Sequence, residues 1–192
     1  MTTIFFVRHA EPNHKWKDDR TKPLSDVGIQ ERLEIIEILE NKNISMIFSS
    51  PYKRSFDTIE PLAHKLGIEI LTDEGFIERK VGKNGNNMEM FKKRWSDLTY
   101  CEEGGESIKE VQNRNIKGLE NVLNIGKNKN IIIGTHGTAL SSILRYYNSN
   151  YGVNDFLRII NYMPYIVRLE FENNILIGMK EEFFIEKKYK IL

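Results

Sequence analysis

Apolar residues along the chain gather into short runs, separated by longer stretches in which they recur every three or four positions. Runs of strand type occur at "TIFFV" (3–7), "SMIF" (45–48), "IEIL" (68–71), "NIIIG" (130–134), "YIVRLEF" (165–171) and "ILIGM" (175–179). Helical periodicity lies between most of them. From Asp26 to about Glu40, the residues Ile29, Leu33, Ile36 and Leu39 fall on one face, with Ser25 placed to cap the start. "SIKE" sets Ser107 three residues ahead of Glu110, a capping box that opens a helix through Val111, Leu119 and Val122. "ENNIL" predicts a tight hairpin turn between the last two strands, because Asn tolerates the left-handed backbone such turns require. Alternating strands and helices elsewhere predict an α/β fold around a mostly parallel sheet. No repeat or low-complexity segment interrupts the pattern. The Gly and Asn cluster "VGKNGNN" (81–87) predicts a loop inside an inserted, cap-like segment of about 73–100, not a linker between domains.

Length and charge narrow the setting. A chain of 192 residues with 40% hydrophobic content suits one domain, 1–192, large enough to bury a proper core. With 28 basic and 27 acidic residues the formal charge is +1, so no overall field draws the protein to nucleic acid or to an anionic membrane. Any recognition of anions must be local. The single cysteine, Cys101, excludes an internal disulfide framework and a cysteine-built zinc site, and it fits a reducing compartment. No apolar stretch approaches the roughly 18 residues that would span a bilayer. "MTTIFFV" lacks the basic start and the length of a signal peptide, so a cytoplasmic location is expected.

In parallel α/β sheets, ligands sit beyond the carboxyl ends of the strands. "IFFV" is followed by Arg8 and His9, "MIF" by "SSPYKR" with Arg54, and "IIIG" by Thr135, His136 and Gly137. One Arg-His pair at a strand end is ordinary surface polarity, but three strands delivering two histidines and two arginines to one edge is not. Such groups repel one another unless an anion lies among them, and the planar fork of arginine matches phosphate oxygens two at a time. The pattern predicts a pocket for a phosphoryl group. A helix beginning near Thr138 would add backbone N–H donors at its amino end.

These residues resemble the histidine phosphatase superfamily, also called phosphoglycerate mutase-like. "RHAE" (8–11) matches its Arg-His-Gly/Ala-Glu signature, and "PLSDVGIQE" (23–31), "SSPYKRSFDT" (49–58), "GGES" (104–107) and "GTHG" (134–137) follow in the family's order. The resemblance implies a three-layer sandwich: a central, mostly parallel mixed sheet flanked by helices, with an inserted segment over the site. It implies that His9 is the nucleophile and that Arg8, Arg54 and His136 hold the phosphoryl oxygens, with Asn13 and Gly137 also expected at the substrate. In some members an acid follows the second histidine directly, but Gly137 stands there, so the proton donor must come from elsewhere. Glu78 in "FIERKVG" matches the position where the mutase-like branch carries a glutamate. Mutases also commonly carry an Asn six residues after the nucleophile; here that residue is Lys15, with Asn13 two positions earlier.

The chemistry accounts for the residue types. A histidine near its ordinary pKa of about 6.5 keeps a lone pair at neutral pH, and His9 attacks phosphorus if its other nitrogen is held as a donor. No metal or other cofactor is then required. Charge on the transferring group is offset by Arg8, Arg54 and His136. A carboxyl crowded by phosphate, Glu78, serves as general acid. Other candidates read more simply as structure: Glu11 as an orienting group, His14 and His64 as surface or packing residues, Trp16 and Trp95 as apolar anchors, and "FKKRW" (91–95) as a solvated helix face. The insertion is short for a mutase and shields a phosphoenzyme little from water. The expectation is therefore a metal-independent phosphomonoesterase acting on a small phosphorylated metabolite. The alternatives are a cofactor-dependent phosphoglycerate mutase-type phosphotransferase and a non-catalytic phosphate-binding module. A two-histidine metal hydrolase finds no His-Glu-x-x-His pattern to support it. Segment 73–100, which would contact the leaving group, carries no readable substrate code.

Overall fold

The computed structural model describes residues 1–188. Its sheet has six strands in the order β3-β2-β4-β1-β5-β6, formed by β1 (Thr2–Arg8), β2 (Ile44–Ser49), β3 (Ile70–Thr72), β4 (Asn130–Thr135), β5 (Tyr162–Glu172) and β6 (Ile175–Glu186). The first four are mutually parallel where they pair, while β5 runs antiparallel to β1 and β6 antiparallel to β5. The sheet is thus mixed and mostly parallel, as the pattern predicts. Asn173 and Asn174, both at positive φ (50° and 65°), close the β5–β6 hairpin.

Every residue of β1 is buried, because helices cover both faces of the sheet. Ile4 and Phe6 point to one side, into a core shared with α4 (Met88–Ser96), α5 (Ile108–Ile125), α6 (Gly137–Tyr147) and α7 (Val153–Ile159). Phe5 and Val7 point to the other, against α2 (Glu34–Leu39) and α3 (Lys53–Leu66). This alternation leaves one region of a central strand free of apolar duty: its carboxyl end.

The helix expected from Asp26 to about Glu40 is instead two short ones, α1 (Asp26–Glu31) and α2. Ile35 and Leu39 are the buried residues of α2, whereas Ile29 and Leu33, expected on the same face, are exposed. Gly28 docks α1 on the loop after β1. Its backbone lies so close to the chain after β1 that a Cβ there would come within 2.2 Å of the Glu11 carbonyl oxygen. The helix is interrupted at Arg32 and Leu33, between Glu31 and Glu34. Ser25 caps α1 through the Gly28 N–H, as expected. The Ser107–Glu110 capping box opens α5, which buries Val111, Leu119 and Val122.

Between β3 and α5 the chain makes a short 3₁₀ turn (Glu74–Phe76), the loop 77–87, α4 and a second loop. This stretch is held by buried charge. Glu102 accepts from Arg79 Nη2 (3.0 Å), from Arg94 Nε (3.2 Å) and Nη2, and from the Gly82 N–H (3.2 Å). Burial alone would raise the Glu102 pKa, but the hydrogen bonds and the two guanidinium charges win and hold it at about 2. Its folded value lies below its ordinary one, so the stabilisation is fully present above about pH 4.5 and is lost as the pH falls toward 2. Glu102→Ala strands two buried arginines, and we expect it to cost about 3–5 kcal/mol in urea unfolding at neutral pH. A loss under about 1 kcal/mol would mean that water already satisfies the cluster.

Candidate active site

Three strand ends build the site. β1 delivers Arg8 and then His9, whose N–H continues the ladder to the Thr135 carbonyl at 3.2 Å. The next residue is pinned to α3, where the Ala10 N–H donates to Thr58 Oγ1 (3.0 Å). β2 ends at Ser49, and the turn through Ser50 and Tyr52 leads into α3 with Arg54 in its first turn. β4 ends at Thr135, followed by His136 and by Gly137 at the start of α6.

The imidazole of His9 is fixed in one tautomer. Its Nδ1 lies 2.7 Å from the Ala10 carbonyl, which can only accept, so Nδ1 carries the proton. Its Nε2 receives a hydrogen bond from Arg54 Nε (3.2 Å) and therefore presents a lone pair. Burial, and then the charges of Arg54 and Arg8, hold the His9 pKa well below its ordinary value, which keeps the ring neutral at pH 7. His136 is neutral for the same reasons, burial first and Arg54 next. The two rings stand 5.3 Å apart at 60°, and His136 Nε2 meets Ser50 Oγ at 2.8 Å. With both histidines neutral, the two arginines are left as the charged groups of the four. The arginines are compensated separately: Arg54 by the carbonyl oxygen (2.6 Å) and carboxylate (3.2 Å) of Asp19, Arg8 by the Ile159 carbonyl oxygen (2.7 Å).

Gly137 lies close to Arg8. A Cβ at that position would lie 3.1 Å from the guanidinium of Arg8. Glu78 reaches the amino end of α6, where Oε2 accepts from the Thr138 N–H (3.0 Å) and Oε1 from the Ala139 N–H (3.2 Å), with a further bond from its neighbour's N–H (Arg79, 2.6 Å). The backbone donors expected to face a phosphoryl group thus engage a side-chain carboxylate.

Arg8, His9, Arg54, Glu78 and Gly137 line one cavity of about 270 Å³. His136 sits fully buried behind His9. Asn13 is not brought to them: its Oδ1 accepts from the Lys15 N–H (3.1 Å), shaping its own turn, and it lines a shallow depression next door. Of the residues read as structure, Glu11 accepts from Ser25 Oγ (2.8 Å) and pairs with Lys187 (3.2 Å). His64 is exposed on α3, Trp95 is buried, and Trp16 lies open on its loop.

Sequence reasoning missed part of the lining. His14, Asp19 and Lys22, all from the loop after β1, form one wall, and Val81, Phe91, Phe156, Ile160 and Met163 form an apolar one. The only sequence signal for the first group was its place directly after His9. Ser50 and Tyr52 stood inside a quoted motif without a role; Ser50 bonds His136, and the Tyr52 ring lies 5.3 Å from His136 and 5.2 Å from the Arg54 guanidinium. Among the described residues no group of three or more His, Cys, Asp and Glu side chains is placed to hold a metal ion.

The chain is similar to known proteins in sequence and in fold. The sequence model of the histidine phosphatase superfamily (branch 1) matches residues 4–175. The uncharacterized phosphatase PhoE of Bacillus subtilis is 30% identical over 149 residues, which are 75% of this chain and 76% of that protein. Phosphoserine phosphatase 1 of Hydrogenobacter thermophilus is 28% identical, with 71% of each chain covered. Among solved structures, phosphoserine phosphatase from Entamoeba histolytica in complex with 3-phosphoglyceric acid superimposes with a TM-score of 0.77 over 98% of both chains, at 22% identity.

Proposed function

The chain belongs to the histidine phosphatase superfamily, and from that premise we propose that it is a metal-independent phosphomonoesterase of the cytoplasm, a single domain 1–192 with a cap-like insertion, hydrolysing a small phosphorylated metabolite through a phosphohistidine on His9. The observation that carries the reading is the state of His9: neutral, with Nδ1–H held by Ala10 and a lone pair on Nε2. Nε2 attacks phosphorus as the bond to the ester oxygen breaks, and Glu78, as general acid, gives a proton to the departing oxygen. Water then attacks the phosphohistidine, returns a proton to Glu78 and releases phosphate. Arg8, Arg54 and His136 offset the charge on the phosphoryl oxygens in both steps.

Support for the substrate class comes from relatives whose names or bound molecules are phosphoserine and 3-phosphoglyceric acid, both small phosphorylated acids. A mutase remains the second reading, because phosphoglycerate mutase-like protein 4 of Arabidopsis thaliana is also 30% identical. A panel of phosphomonoesters assayed with a strong chelator tests the proposal. Phosphate release is the expected result; transfer to a phosphoglycerate without release would establish the mutase, and activity lost to the chelator would end the metal-independent mechanism. Arg54→Ala and His136→Ala should each weaken vanadate binding and lower the rate together, roughly tenfold to a thousandfold, since their donors face charge that grows during transfer. Unchanged vanadate affinity in both variants would remove them from the pocket.

A further inference from the structure

Arg114 lies on α5, outside the cavity lining, yet all five of its N–H groups have partners on the chain that carries Glu78 or on Glu106. Nη1 donates to the carbonyl oxygens of Gly75 (3.0 Å) and Ile77 (2.7 Å), and Nη2 to that of Glu78 (3.0 Å). Nε and Nη2 grip the two carboxylate oxygens of Glu106 (3.0 and 3.1 Å). Glu106 in turn accepts from the Lys80 N–H (2.8 Å), its own N–H donates to the Lys80 carbonyl (3.0 Å), and its carbonyl accepts from Arg79 Nη1 (2.7 Å).

We propose that Arg114 is a positioning residue for Glu78, clamping the backbone on the amino side of the proton donor while Glu106 holds it on the carboxyl side. This rests on Glu78 being the acid. Residues 77–80 belong to no helix or strand, so nothing regular fixes them. The carboxylate is aimed by the amino end of α6, and the backbone beneath it by α5, two helices that also bond directly through Gln112 Nε2 and the Ser142 carbonyl (3.0 Å). Acid catalysis depends on that aim, since a displacement of about 1 Å at a catalytic group can cost about a hundredfold. Lysine cannot replace the clamp, because an ammonium is one point of charge where three carbonyls and a carboxylate are spanned by a planar fork.

Arg114→Lys should lower hydrolysis of a simple alkyl phosphate about tenfold to a hundredfold, leave nitrophenyl phosphate within about threefold, and leave vanadate affinity unchanged. Glu106→Gln, a milder change, should show the same selective loss. Added to Glu78→Gln, Arg114→Lys should not alter the ratio of the two substrates further. Equal losses on both substrates, a wild-type ratio, or failure of both variants to fold would overturn the proposal. Should Glu78→Gln alone leave the ratio at its wild-type value, the acid assignment itself fails, and the clamp as a catalytic device goes with it; a selective effect of Glu78→Gln without one of Arg114→Lys removes the clamp only.

Discussion

His9→Ala is expected to abolish turnover of every phosphomonoester, by roughly a millionfold as for a lost nucleophile, and to leave no acid-labile, base-stable phosphate on the chain. The reason is positional. The lone pair on His9 Nε2 is defined by the Ala10 carbonyl on the opposite nitrogen and is met by Arg54 Nε at 3.2 Å. His136, 5.3 Å away, is fully buried and has its Nε2 engaged with Ser50. Arg8 and Arg54 stay in place in the variant, so vanadate should still bind while chemistry is absent. Quench-flow with labelled substrate checks both statements. Near-normal rates in His9→Ala would sink the phosphohistidine mechanism outright.

Glu78→Gln should depress hydrolysis of alkyl phosphates by about a hundredfold or more while sparing nitrophenyl phosphate, because a basic alkoxide needs a proton as it leaves and nitrophenolate does not. Gln keeps one oxygen, which can serve the Ala139 and Arg79 N–H groups but leaves that of Thr138 without its acceptor, so the variant also loses one bond at the amino end of α6, a loss common to both substrates. A series of substrates of graded leaving-group acidity gives the sharper reading: a shallow dependence in wild type and a steep one in the variant. Equal losses across the series would make Glu78 structural and direct attention to Asp73, Glu74 and Glu106.

The strand ends that carry Arg8, His9, Arg54 and His136 were legible because β1 and β4 are buried on both faces and read as unbroken apolar runs, after which any polar residue stands out. The hairpin at Asn173 and Asn174 and the capping box at Ser107 were legible for a local reason: each is set by residues within a few positions. What escaped depends on partners far along the chain. Gly28 meets Glu11 across the loop after β1, and periodicity carries no trace of that contact or of the break after Glu31. Arg94 reads as one more cation of "FKKRW", yet it is almost wholly buried because Glu102 and the loop carbonyl of Gly85 await it, while Lys92 and Lys93 beside it are exposed. β6 continues to Glu186, well past its apolar start, because an edge strand with a wet face has a weak pattern. Asp19, Lys22 and His14 come from a loop, where no period exists to show which side chains face a cavity.

The close approach of Gly137 to Arg8 has a consequence for how this enzyme can change over generations. A side chain at 137 would begin 3.1 Å from the Arg8 guanidinium, so an acid beside the second histidine would require that guanidinium to shift by a few tenths of an ångström. The proposed donor, Glu78, stands on the same stretch as Val81, Asn86 and Phe91, which line the same cavity. With Glu78 as the acid, substrate preference and catalytic power are inherited as one package: a chimera that exchanged 73–107 for the matching stretch of a relative is expected to import a new choice of alcohol and a new acid in a single step, while the proposed phosphate-handling residues after β1, in α3 and after β4 stay as they are.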